Sequence, residues 1–246
     1  ELLDAEYTPP HDISDKPVAS HLPGGPGAAL LLDLMERARE VLRRSPVNAR
    51  RIARGQLPAT DLWPFWPGKA PSGMVPFEKA RGVRGAMTSG VDLLNGLAVL
   101  AGMTRLHVAG VSDGPDNDYA AQAEGGLAAL ADHDVVIIHV EAPDEAGHAG
   151  DAGAKVAAIE AIDREIVSRV RAAAARFARD GGLRILAMPD HPTPVATKTH
   201  AREPVPFVLA GAGIAANGAD RYDESAAAAT RLTVEPGHLV MDRLLA

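Results

Sequence analysis

The sequence predicts an α/β protein with a largely parallel sheet, and three observations carry that expectation. From residue 83 onward, short apolar runs alternate with helical patterns. The runs VVII and ILAM contain no charge, as buried strands require. Carboxylates and imidazoles follow two of these runs, where open α/β sheets build their sites.

Taken in order, residues 1–26 are rich in Pro, Gly and charge and read as loop, with at most a fragment of edge strand. His11-Asp12 in this stretch is either a turn or part of a loop facing a site. Residues 27–44 place Leu31, Leu34, Met35, Ala38, Val41 and Leu42 at helical spacing opposite a charged face. Arg43 and Arg44 suit the last turn of that helix, which stops at Ser45-Pro46. Arg50, Arg51 and Arg54 then cluster, either as a solvated helix face or as a grip for an anion. Trp63, Phe65 and Trp66 are expected to pack beneath a loop. The prolines between 64 and 76 mark a linker. Two domains are therefore expected, residues 1–70 and 71–246.

The alternation follows. VRGAMTS, TRLHVAG, VVIIHVE, RILAMPD and PVPFVLAG read as strands. GVDLLNGLAVLAGM, NDYAAQAEGGLAALAD, a long stretch from 152 to 180 and the C-terminal EPGHLVMDRLLA read as helices. His107 and His139 are placed within strands, His133 on the surface, and His238 beside the last helix. Ser89 is read as a helix cap rather than a nucleophile.

Composition excludes several classes. The formal net charge of −7 argues against a non-specific nucleic-acid binder. The absence of cysteine removes disulfides, thiolate catalysis and Cys-ligated zinc. Any metal must use His, Asp or Glu, which favours Mn, Mg, Co or Zn. No apolar run reaches membrane-spanning length, so no membrane partner is expected. The first residue is Glu1, and a true N-terminus upstream of it is expected.

The candidate chemistry lies between Val135 and Val208. Asp144 and His148 stand four apart, a spacing that would share one helical face. Pro143 and Gly147 argue for a loop or a first turn there. Asp190 and His191 follow the RILAM run in a turn stiffened by Pro189, Pro192 and Pro194, and His200 comes after. Three separate segments thus bring metal-type ligands to one end of the sheet, which looks like a two-metal site.

At VEAPDEAGH and PDHPTPVATKTHAREPVPF the chain resembles the archaeal-type, 2,3-bisphosphoglycerate-independent phosphoglycerate mutases of the alkaline phosphatase superfamily. The likeness extends to TPPHDIS, PVNARR, GVRGAMTSGVDLL and AIEAIDREIV. It implies an alkaline-phosphatase-like sandwich with a smaller inserted substrate-binding domain, of which residues 1–70 would be the end. It implies two divalent metal ions, with Asp144, His148 and His200 on one and Asp190 and His191 on the other. Arg51, Arg54 and Asn48 would bind substrate. The implied activity is metal-dependent interconversion of 3- and 2-phosphoglycerate through a phosphoserine, in the cytoplasm, with an oligomer allowed.

The nucleophilic serine and a further Asp ligand would lie upstream of Glu1, so this chain alone is expected to be inactive. GVSDGPDNDYAAQ also departs from the family pattern. Gln122 stands where a Lys is expected, and Asp113 and Asp118 add negative charge. That departure keeps open a related phosphatase, or a phosphotransferase of homoserine-kinase type. A non-catalytic domain that binds metal or a phosphorylated ligand is the alternative of another class.

Overall fold

A computed structural model describes residues 2–246, which form two units, Glu1–Ser72 and Gly73–Ala246. In the first unit, three short 3-10 turns precede the first helix, and Glu6 pairs with Gly24 as an isolated antiparallel bridge. Helix α1 (Ala28–Arg43) buries Leu31 and Met35. Leu34 and Val41, expected on its apolar face, are exposed. Its polar face carries the ion pairs Asp33–Arg37, Glu36–Arg39 and Glu40–Arg43 at helical spacing. Helix α2 (Pro46–Ala53) follows at once. The Ser45 hydroxyl accepts from the backbone N–H groups of Val47 and Asn48, and Pro46 occupies the first turn.

Phe65 and Trp66 are not packed beneath a loop as expected. They are exposed and meet the His11 ring edge-on, at 5.7 and 5.1 Å between centroids. Only Trp63 is tied down, donating from Nε1 to the Thr8 carbonyl at 2.8 Å.

The second unit opens with α3 (Phe77–Arg81) and then β1 (Gly85–Thr88), α4 (Asp92–Leu100), β2 (Thr104–Arg105), α5 (Tyr119–Ala129) and β3 (Val135–Ile138). The three strands form a parallel sheet in the order β2-β1-β3. All four β1 residues are buried. Alternation divides the core into two layers. Met87 packs with Ala98 and Met103, against Phe77 and Ile137. Ile138 and Val140 pack against Tyr119, Ala123, Ala142, Ala158 and Ile166. A parallel sheet is stable in water when both faces are covered this way. Because β2 and β3 flank β1 on opposite sides, the connections diverge at the C-terminal ends of β1 and β3, where such sheets leave a crevice.

Helices α6 (Ala142–Ala149) and α7 (Ala152–Ala161) come next. The long helix expected from 152 to 180 is continuous but not uniform. It passes through a π turn at Ile162–Val167, then α8 (Ser168–Ala173), then a 3-10 segment at Ala174–Asp180. Ala158, Ile166 and Ala173 are its buried apolar residues. Ala158 and Ile166 are one residue too far apart for two α turns, and the extra residue of a π turn absorbs that offset.

Strands β4 (Arg184–Ala187) and β5 (Val208–Gly211) form a separate antiparallel pair in addition to the expected parallel sheet. The chain between them, 188–207, holds no helix. A parallel return needs a crossover, whereas a loop suffices for an antiparallel one. Helices α9 (Glu224–Thr230) and α10 (Val240–Leu245) close the chain. His107 lies outside β2 and is exposed, because TRLHVAG pairs over only two residues. His133, expected on the surface, is half-buried and bonds to Thr104 Oγ1 and the Ala129 carbonyl. No helix among the described residues is long and apolar enough to cross a membrane.

Gly90 is the residue on which the 110–118 loop closes over β1. A Cβ there would lie 2.2 Å from the Ser112 carbonyl carbon. Gly90→Ala should therefore destabilise the second unit by about 1–3 kcal/mol, read as a lower denaturation midpoint in urea.

Candidate metal centre

Beyond β3 the backbone turns into α6, which carries Asp144 and His148. A loop was expected because of Pro143 and Gly147, but the helix forms. Pro143 sits in the first turn, where a missing N–H goes unnoticed. Asp144 and Glu145 also lie in that turn, which favours carboxylates. Gly150, with φ 75°, ends the helix. One helical turn then brings His148 Nε2 within 3.1 Å of Asp144 Oδ2.

The second segment follows β4 as Asp190-His191, and the third ends at His200. Backbone bonds fold this loop on itself: Lys198 N–H and Thr197 N–H donate to the Pro194 carbonyl, and Ala201 N–H to that of Pro192. The result is stacking of His191 on His200, with ring centroids 3.8 Å apart. His200 Nε2 lies 3.0 Å from His148 Nε2 and 3.7 Å from Asp144 Oδ1. His191 Nε2 lies 3.2 Å from Asp190 Oδ2, and His191 Nδ1 is 4.0 Å from Asp144 Oδ1. All five ligand-type residues of the sequence thus come together, with His191 adjoining both carboxylates. The cluster is open to water: the Asp190 side chain is 73% exposed, against 19% for Asp144.

These residues fit a divalent cation. His148 Nδ1 is 2.9 Å from the Lys198 carbonyl, which can only accept, so Nδ1 carries a proton and Nε2 is the nitrogen left to offer a cation its lone pair. That lone pair faces an imidazole nitrogen and a carboxylate oxygen, a donor set suited to Mn, Zn or Co. Oxygens of Glu141, Asp144 and Glu145 also gather within 4.8 Å of one another.

Further side chains complete the surroundings, of which Thr193 was not foreseen from the sequence. The Thr193 hydroxyl donates to Asp144 Oδ1. His139 follows β3 rather than lying in it, and its Nδ1 is 2.9 Å from Ser89 Oγ, while its Nε2 faces Glu141 at 3.4 Å. Ser89 also accepts the Val91 N–H at 3.0 Å, at the start of α4. Burial lowers the His139 pKa, against the pull of Asp190 and Asp144. Burial also pushes Glu141 up to about 7, helped by the charges of Asp144, Asp190, Glu145 and Asp113.

Gln122 is wholly buried. Its Nε2 donates to the His139 carbonyl at 2.8 Å, and its Oε1 accepts from Asn117 at 2.9 Å. It therefore braces the end of β3. Asp118 caps α5 by accepting from the Ala121 N–H, and Asp113 is exposed.

In the first unit, Asn48 is buried. Its amide donates to the carbonyls of Leu42 and Ala59 and accepts from the Ala59 N–H. Those bonds tie α1, α2 and the 59 loop together. Arg51 is exposed on α2, its Nε donating to the Leu57 carbonyl at 2.7 Å. Arg54 is exposed just past the end of α2.

The profile of the metalloenzyme superfamily matches residues 30–241, and that of 2,3-bisphosphoglycerate-independent phosphoglycerate mutase matches residues 3–48. A mutase of that name from Methanothrix thermoacetophila is 44% identical over 91% of this chain and 56% of its own length. A probable one from Geobacter sulfurreducens is 42% identical over 96% of this chain and 59% of its own length. The chain thus spans little more than half the length of these relatives. Among solved structures, the PH0037 protein of Pyrococcus horikoshii superposes with a TM-score of 0.63 at 28% identity, covering 81% of this chain and 51% of that one. The cofactor-independent phosphoglycerate mutase of Thermoplasma acidophilum, with a TM-score of 0.53 and 24% identity, shares the fold over 90% of this chain and 52% of its own.

A carboxylic acid with a raised folded-state pKa stabilises the fold while it is protonated. In the metal-free protein, the Glu141 contribution should be fully present below its ordinary 4.5 and lost as pH rises to about 7. Glu141→Gln should flatten that part of the Tm–pH curve, measured by thermal unfolding in a chelating buffer.

Proposed function

Given that this chain belongs to the metalloenzyme superfamily, we propose that it serves metal-dependent phosphoryl transfer, interconverting 3-phosphoglycerate and 2-phosphoglycerate. The observation that carries this reading is the convergence of Asp144, His148, His191, His200 and Asp190, in a chain 42–44% identical to several proteins named as such mutases. Asp144, His148 and His200 would hold one divalent ion, and Asp190 and His191 would contribute to a second. Divalent ions so bound supply positive charge to a phosphoryl oxygen and to a deprotonated hydroxyl.

The chain's own groups do the holding. Loop 192–201 and the Lys198 carbonyl fix the two imidazoles against Asp144. Glu141 sits beside them, its carboxyl pushed up to about 7 in the metal-free protein chiefly by burial. Arg51 and Arg54 would grip the carboxylate or phosphate of the substrate, because guanidinium groups pair with both bidentately. Asn48 would act through the placement of α2 rather than by contact, its amide being committed to backbone partners. In this reading residues 1–70 are the end of an inserted substrate-binding domain, the remainder belongs to the metal domain, and the setting is the cytoplasm.

The departure at Gln122, where a Lys is expected, is the main support for another phosphorylated substrate; the Gln122 side chain itself is buried and bonded at both ends.

The protein carrying this chain, loaded with Mn²⁺, should interconvert the two phosphoglycerates. Release of inorganic phosphate without interconversion would point to a phosphatase, and phosphate transfer to another alcohol would point to a kinase-like enzyme. Metal uptake with no turnover would point to a binding domain. Asp190→Ala and Asp144→Asn should each lower the bound metal measured by mass spectrometry and remove the rise in Tm on adding Mn²⁺. Unchanged metal content would count against the ligand assignment.

A further inference from the structure

The ligand-type residues of the metal centre stand on two bodies. Helix α6 carries Asp144 and His148, and the loop after β4 carries Asp190, His191 and His200. Near one end of the loop, the Lys198 carbonyl meets His148 Nδ1. Near the other, Thr193 is only 4% exposed, and its hydroxyl donates to Asp144 Oδ1. A carbonyl in so buried a residue needs a donor. Lys155 Nζ supplies it, at 2.7 Å from the Thr193 carbonyl oxygen.

Lys155 belongs to neither body but to α7, and the turn before it is firmly set. Gly150 takes φ 75° to end α6. The Asp151 N–H donates to the Ala146 carbonyl at 2.9 Å, and Asp151 Oδ1 accepts from the Ala154 N–H at 2.9 Å where α7 starts. Lys155 follows in the next position and reaches back to α6 at Gly147. A Cβ on Gly147 would lie 2.5 Å from the Thr193 carbonyl oxygen and 3.1 Å from Lys155 Nζ. The ammonium–carbonyl contact therefore occupies the space that glycine at 147 leaves empty.

We propose that Lys155 is a positioning residue: by clamping the Thr193 carbonyl it docks the loop bearing Asp190, His191 and His200 against the helix bearing Asp144 and His148, and so sets the affinity and the histidine count of a bound divalent cation. A cation can draw donors from both bodies only while they are held in register. Lys155 bonds to a backbone carbonyl rather than to a ligand side chain, so its loss leaves all five ligand-type residues in the chain and changes only how they are held. Outer contacts of this kind carry about 10- to 100-fold in metal affinity. The inference rests on the metal-centre reading above.

The test uses the protein carrying this chain, with Mn²⁺ as the probe. Calorimetry gives the affinity, and pulsed electron paramagnetic resonance counts the histidine nitrogens coupled to the bound ion. Lys155→Met keeps the stem and removes the donor. It should weaken Mn²⁺ binding about 10-fold or more and lower the count of coupled nitrogens. Lys155→Arg, which keeps a cationic donor, should restore the count and hold the affinity within about threefold of wild type. Gly147→Ala attacks the same contact from the α6 side and should act like the methionine variant, although alanine suits a helix better than glycine. It also serves if the methionine chain does not fold.

A methionine variant with unchanged affinity and unchanged nitrogen count would overturn the proposal. So would one whose Tm falls while both readings stay at wild-type values, because Lys155 would then merely stabilise the fold. A wild-type protein that takes up no Mn²⁺ would instead remove the metal-centre reading, and this inference with it.

Discussion

The second unit is shaped by the need to hold one carboxylate, Asp144, among imidazoles and largely out of bulk water. A charge with 19% of its side chain exposed is costly unless it is paired and hydrogen-bonded. Asp144 meets that condition through the Thr193 hydroxyl and the His148 ring, with His200 and His191 at 3.7 and 4.0 Å. Its partners come from α6 and from the 188–201 loop, segments that are far apart in sequence. The pairing of those segments is therefore part of the electrostatic balance of the unit.

The fold supplies this geometry with few devices. β1, covered on both faces, fixes β3, and Gln122 fixes the carbonyl of His139 just past it. α6 can then start in a defined place, with Pro143 in its first turn and its acidic residues where the helix dipole favours them. Gly147 lets α6 press against Thr193, and the Lys198 carbonyl orients His148. Cation-binding donor sets depend on such outer contacts almost as much as on the ligands themselves. Burial, helped by the same crowding of carboxylates, pushes Glu141 up to about 7 in the metal-free protein.

Much of this could be read from the residues in order. Apolar runs mark β1, β3 and β4, although only β1 is buried throughout and β4 opens on Arg184. The spacing of Asp144 and His148 carries the site's shortest carboxylate–imidazole contact, because four residues make about one helical turn. Other features left no local trace. Helix α6 was masked by Pro143 and Gly147, residues that break helices in general but are harmless at a first turn and useful at a close contact. Thr193 has no motif around it, and Gln122 reads as a departure until its burial shows it to be a brace.

The sequence by itself determined the alternation of strands and helices, the exclusion of thiolate chemistry, and which side chains are of ligand type. These follow from hydropathy, spacing and composition, all local properties. Only the tertiary structure decided that β4 and β5 pair with each other apart from the parallel sheet, that His191 adjoins both Asp190 and Asp144, that Asn48 is committed to backbone partners, and that Gln122 is committed to the His139 carbonyl and the Asn117 side chain. Each of these depends on contacts between residues distant along the chain, and such contacts exist only once packing has set where the loops return.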